Sequence, residues 1–168
     1  MGRDVSRIVA LVLVAGAGLA VLALFTLHTG LAPVPTGEYQ EQQLRVTDCA
    51  GTERGAVTVA VADSFEQRYV GLSRTESLAT DEGLVLVFED DGPHRIGMRN
   101  MDFDLDVLFV SADGEITRIE TLEAPDSVLE SSLLYESTSG HGRYVLEVQA
   151  GWSEERGVGA GDCVVGLP

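Results

Sequence analysis

Apolar residues are distributed along this chain in two rhythms. Residues 8–27 read IVALVLVAGAGLAVLALFTL, 20 positions without a charge, and a helix of that length crosses the roughly 30 Å hydrocarbon layer of a bilayer. Beyond them the rhythm shortens. Residues 57–61 (VTVAV) alternate as a half-buried strand does, and residues 84–88 (LVLVF) form a closed apolar run between DEG and EDDGP, as a strand covered on both faces does. Residues 105–110 repeat that pattern, and the SADG turn that follows, tipped by Asp113 and Gly114, leads into residues 115–122 as a hairpin. Residues 144–148 and 163–167 complete six predicted strands. One helix is signalled by Ser64 with Gln67 three positions on, a capping box, with Phe65, Tyr69 and Leu72 on one side and Gly71 to end it. A shorter helical turn, WSEER at 152–156, stops at Gly157, and the longest irregular segment is 124–142.

The pattern therefore predicts a mainly β fold in one compact domain, preceded by one N-terminal transmembrane helix. A secretory h-region is usually shorter and ends in a small-x-small cleavage site; HTGLAPVP follows here, so an uncleaved anchor is the expectation and a signal peptide the alternative. Arg3 and Arg7 precede the span, which places the N-terminus inside the cell membrane and the domain outside it. The MGRDVS start also matches the loose myristoylation pattern, but an acyl chain is redundant beside a membrane-spanning helix. The division is thus 1–7 cytoplasmic, 8–27 transmembrane, 28–43 linker with two prolines and two glycines, and 44–168 an extracytoplasmic domain.

Charge changes the picture of partners. Beyond residue 27 there are nine arginines, no lysine and 26 acids, a formal charge of −17. Such a surface repels nucleic acid, which is held mainly through cationic contacts to phosphate. Self-repulsion on this scale needs salt to screen it, which points to a halophilic source, most simply a salt-loving archaeon. The two cysteines, Cys49 and Cys163, lie near opposite ends of the soluble part and read as a disulfide in an oxidising exterior, with two free thiols as the alternative.

Candidate chemistry is thin. Asp102, Asp104 and Asp106 alternate along MDFDLDV, but a calcium loop would need glycine where Val107 stands and a glutamate where Asp113 stands, so the run reads as the edge of a strand with its carboxylates on one side. His94 and His141 each sit beside glycine in what read as turns. Were those turns to meet, the two imidazoles with a carboxylate could hold a transition metal, although no HxxxH or HExxH spacing supports it. No GxSxG elbow is present, and 26 acids offer too many choices to single out a hydrolytic pair.

Several segments in order resemble the DUF192 family: VAVADSFEQRYVGLS, DEGLVLVFE, MRN with LDVLFVSADGEI, and RYVLEVQAGWSEERGV with GD after it, spanning about residues 57–165. The resemblance implies a compact β-sandwich or jelly-roll-like domain, frequently exported or membrane-attached, with no established activity. Met98, Arg99, Asn100, Leu105 and Asp106 match the family's central pattern. Gly97 stands where that pattern has Trp, Met101 for Thr, Asp102 for an apolar residue, Asp104 for Pro, and Gln149 for Asn. The expected role is a non-enzymatic binding or interaction module at the cell surface, needing no cofactor and partnered by a surface protein or a small molecule. The alternatives are an extracytoplasmic hydrolase using Asp106, Asn100 and Arg99, and a metal-binding domain using His94 and His141. Met98, Arg99, Asn100 and Asp106 together form the candidate ligand or structural cluster, with Asp106 expected to be structural.

Overall fold

The structure, a computed structural model, describes residues 37–127, 131 and 134–168. The span expected over 8–27 and its flanks up to residue 36 lie outside the described residues. Among the described residues no helix is long and apolar enough to cross a membrane.

The domain is built on seven strands: β1 Gln40–Thr47, β2 Glu53–Ala62, β3 Glu82–Gly97, β4 Leu105–Val110, β5 Ile116–Leu122, β6 Ser137–Gln149 and β7 Cys163–Val165. Two short helices accompany them, α1 Phe65–Val70 and α2 Trp152–Arg156. All strands join one sheet in the order β5-β4-β6-β3-β2-β1-β7. Only β2 and β3 pair in parallel, and the connection between them carries α1, since parallel neighbours need a crossover.

Alternation along the central strands fills two cores. Val85, Leu108, Val110, Leu146 and Val148 face one side with Leu44, Val46, Val59, Ile116 and Trp152. Leu84, Leu86, Val107, Phe109 and Val145 face the other with Ile96, Met98 and Met101. This explains why residues 84–88 and 105–110 read as unbroken apolar runs: both faces are covered. The first core is wrapped by the sheet itself. Edge strand β7 meets the residues at the start of β5, with Glu115 bridged to Cys163 and Val164 N–H donating to Gly114 O at 2.8 Å, which joins the two ends of the sheet at one corner. Cys49 and Cys163, with Cα atoms 5.0 Å apart, are joined by a disulfide across this closure. On the second face β4 and β6 pack so tightly that a Cβ on Gly140 would lie 2.3 Å from the Phe109 ring.

Several expectations need correction. One seven-stranded sheet stands in place of the sandwich or jelly roll, its two end strands meeting where Glu115 bridges to Cys163. Residues 40–43, expected in the linker, belong to β1; Gln40, Glu41 and Gln43 are exposed and Gln42 half-buried, so backbone pairing with β2, with Gln42 Nε2 donating to Gly166 O, holds them in the sheet. The EDDGP that read as the end of a strand is absorbed within β3, where the pairing with β6 breaks register between Val87 and Gly92. His94 and His141 therefore lie on strands rather than in turns, and residues 137–142 of the expected irregular segment are part of β6. Residues 102–104 precede β4, so the three aspartates do not line one strand: Asp102 and Asp104 are exposed and Asp106 is buried.

A walled cavity and its buried glutamate

On the second face the sheet bears a cavity of about 470 Å³. Its floor is formed by Leu86 of β3, Leu105 of β4 and Glu147 of β6, three strands that the register places side by side. Glu147 alternates with Leu146 and Val148, so it faces the second core, where its cross-strand neighbours are Leu84 and Val107. It is 5% exposed. Among the described residues it has no ion-pair or hydrogen-bond partner. An ionised carboxylate in such surroundings loses hydration without compensation, and burial pushes the Glu147 carboxyl up to about 7. It is thus a hydrogen-bond donor when protonated and an acceptor or base when not.

The rim is cationic. Helix α1 is held by its capping box, with Gln67 Nε2 also donating to Glu38 O at 3.3 Å, and it presents Arg68 and Tyr69. Arg68 Nη1 donates to the backbone carbonyls of Asp63 and Val87, and its guanidinium lies 5.3 Å from the Phe88 ring centroid. Arg95 donates through Nε and Nη2 to Ser137 Oγ at 3.1 and 2.7 Å. Arg99 donates to Tyr69 O at 3.1 Å and lies 4.7 Å from the Tyr69 ring centroid. The acceptors of Arg68 and Arg95 are backbone carbonyls and a hydroxyl, which orient these two guanidinium groups.

Gly97 forms part of the wall. A Cβ at this position would stand 2.7 Å from the Tyr135 ring. Tyr135, which precedes β6, thus fills the space beside Gly97 and walls the cavity there.

The cluster expected from the sequence is dispersed. Arg99 lines the cavity and Met98 is fully buried in the second core. Asn100, with φ 54°, accepts a hydrogen bond from Ser131 Oγ at 3.1 Å. Asp106 faces the opposite side of the sheet from Leu105. Its Oδ2 accepts the Ser153 N–H of α2 at 2.9 Å and its Oδ1 accepts the Thr121 hydroxyl at 2.7 Å. Because the N-cap of α2, Gly151, has no side chain to offer, Asp106 satisfies a first-turn donor from across the core. Asp106 thus ties β4 to β5 and to α2.

The histidines diverge as well. Pro93 pairs with His141 and Gly140 with His94, so the two imidazoles are on opposite faces of the sheet. His94 stacks on Phe88 at 3.6 Å between centroids, and His141 Nδ1 lies 3.2 Å from Asp91. Among the described residues no three His, Cys, Asp or Glu side chains gather in an arrangement suited to a metal ion.

Sequence reasoning missed Glu147, Arg68, Arg95 and Tyr135. Glu147 did carry a signal, as the one acid inside the otherwise apolar YVLEV run. The other three gain their meaning only from the topology that gathers α1, β3 and the approach to β6 around one hollow.

The described residues thus form a mainly β domain of one seven-stranded sheet, with a cavity on one face floored by Leu86, Leu105 and Glu147. Comparison with known proteins fixes the family: the chain belongs to DUF192, described as uncharacterized ACR, whose model matches residues 46–166. Two solved structures share the fold. One is a candidate transcription regulator from Sinorhizobium meliloti 1021, with 29% identity, a TM-score of 0.67, and coverage of 79% of this chain and 98% of that one. The other is a protein of unknown function from Novosphingobium aromaticivorans DSM 12444, with 24% identity, a TM-score of 0.63, and coverage of 79% and 90%. A search of curated proteins returns no match.

Proposed function

We propose that this protein is a membrane-tethered, extracytoplasmic binding module that takes a small molecule into the cavity between α1 and the β3–β6 sheet. Glu147 carries the proposal. A buried carboxyl with no partner among the described residues costs stability, and a titratable group so perturbed inside a cleft marks a functional site more often than a structural one. The uncharged run at 8–27 supplies the tether, and Arg3 and Arg7 the orientation. The large negative charge suits a domain bathed in concentrated salt. That same charge argues against carrying over to this chain the regulatory role attached to the Sinorhizobium protein, if that role requires nucleic acid.

Two measurements test the reading. Protease added to intact cells expressing the tagged full-length chain should remove the domain and leave the N-terminal tag protected; the reverse pattern overturns the topology. A small-molecule panel followed by thermal unfolding should yield a ligand that stabilises the protein, by about 2.7 kcal/mol at a hundredfold excess over its Kd. That stabilisation should disappear when Ser73→Trp fills the cavity from its wall.

A further inference from the structure

We propose that the Cys49–Cys163 disulfide is a reducible latch, which a dithiol opens in the folded protein to release residues 163–168 from the corner where the two ends of the sheet meet. This latch lies on the first core and is independent of what the cavity beside Glu147 holds. Cys49 is exposed on the loop between β1 and β2, whereas Cys163, the first residue of β7, is half-buried. A hollow of about 430 Å³ lies against the bond, with Thr47, Gly51 and Asp113 among its lining beside the two cysteines. Exchange requires a thiolate to reach one of the sulfurs, and the exposure of Cys49 and the hollow give access to its Sγ. The thiolate bonds to Cys49 Sγ, the S–S bond breaks, and Cys163 Sγ leaves with the electron pair and takes a proton from water. The second thiol of the reductant, once deprotonated, displaces Cys49 and closes its own disulfide, so two electrons pass to the protein and both cysteines end as thiols.

The segment that the bond holds is short, and a firm anchor stands just before it. Strand β7 pairs with β1 over three residues, and beyond that pairing Val164 N–H donates to Gly114 O, Gln42 Nε2 to Gly166 O and the Tyr144 hydroxyl to Pro168 O. Asp162, by contrast, is buried; its carboxylate accepts from Arg54 Nε at 2.9 Å and from Gly159 N–H at 2.8 Å, and its carbonyl accepts Ile116 N–H at 2.8 Å. The chain is thus pinned up to Asp162 by contacts that reduction does not touch, and beyond it by few. Cys49 itself sits at φ 61°, a left-handed backbone that a non-glycine residue adopts at a cost, so breaking the bond lets this residue relax. Release of β7 draws Val164 and Leu167 away from the first core. Among the described residues that line the cavity beside Glu147, none lies on β1 or β7, so the latch opens without dismantling that site.

The test uses the full-length protein in non-ionic detergent. Dithiothreitol, followed by alkylation with iodoacetamide and mass spectrometry, should reduce the bond without denaturant at a rate within roughly tenfold of that in unfolding urea. A brief pulse of 2-mercaptoethanol should leave its mixed disulfide on the peptide containing Cys49. In hydrogen exchange, reduction should lower the protection of the Val164 amide at least about tenfold, while that of Ile116, bonded to the pinned Asp162 carbonyl, stays as it was. The variant with both Cys49→Ser and Cys163→Ser should show the same exchange pattern with no reductant present. Reduction confined to unfolding urea, a mixed disulfide on Cys163, or a uniform loss of protection across β3, β4 and β6 would each overturn the latch, the last because the bond would then staple the whole fold.

Discussion

Glu147→Gln should make this protein more stable at alkaline pH. In the native state burial between Leu84 and Val107 holds the carboxyl at about 7, against an ordinary value of 4.5. Because the folded state holds its proton more tightly than the unfolded state does, unfolding releases a proton between these two values, and stability falls as pH rises through that window. Below about 4.5 both states are protonated and no penalty exists. Above 7 both are ionised and the penalty is complete, about 3 kcal/mol from the separation of the two values. Glutamine has nearly the same shape and does not ionise, so the difference between variant and wild type isolates this one group from the other acids of the chain. Urea unfolding followed by circular dichroism from pH 4 to pH 9 should show that difference near zero at the acid end, growing through pH 5 to 7 and level above. The plateau corresponds to roughly 10 °C in Tm for a domain of this size. A variant less stable than wild type at pH 8 would refute the reasoning, because it would mean that the ionised carboxylate is held by a partner and not merely buried.

Three other substitutions test the architecture. Cys49→Ser opens a loop that spans 114 residues and should cost about 4–5 kcal/mol by the chain-entropy relation, read as a lowered urea midpoint that the reductant-treated wild type reproduces. Asp106→Asn should lower stability by about 1.5–3 kcal/mol, since an amide cannot accept both the Ser153 N–H and the Thr121 hydroxyl as the carboxylate does, and should leave ligand binding in the cavity unchanged. Gly97→Trp should destabilise through collision with the Tyr135 ring, and Tyr135→Ala should relieve it, giving a favourable coupling of at least about 1 kcal/mol in a double-mutant cycle.

The elements most legible in the sequence were those whose burial is symmetrical or whose local chemistry is self-contained. The apolar runs at 84–88 and 105–110 declare strands covered on both faces, and the Ser64–Gln67 box fixes the start of α1 with both of its reciprocal bonds. Strand β1 was hidden because Gln40 to Gln43 gain their place from backbone pairing with β2. The polar break inside β3 suggested an end to the strand, yet a slip in register accommodates it. The site was less legible than the fold, and for a different reason. Arg68, Arg95 and Arg99 lie on separate elements, and only the crossover from β2 to β3 brings the helix carrying the first beside the strand carrying the second.

Asp106 and Glu147 show what separates a structural acid from a candidate functional one. They lie on adjacent strands one register position apart, Asp106 opposite Val148 and Glu147 opposite Val107, and both are almost completely buried. Since neighbouring positions on a strand point to opposite faces, the two carboxyls look away from one another into different cores. Asp106 meets two donors there, and its burial is compensated by hydrogen bonds that tie β4 to β5 and to α2. Glu147 meets leucine, valine and a hollow. The run of alternating aspartates draws attention to the first in the sequence, yet its partners already complete its role. A carboxyl buried at a cost of about 3 kcal/mol with no compensating donor among the described residues is the one whose presence a ligand would explain.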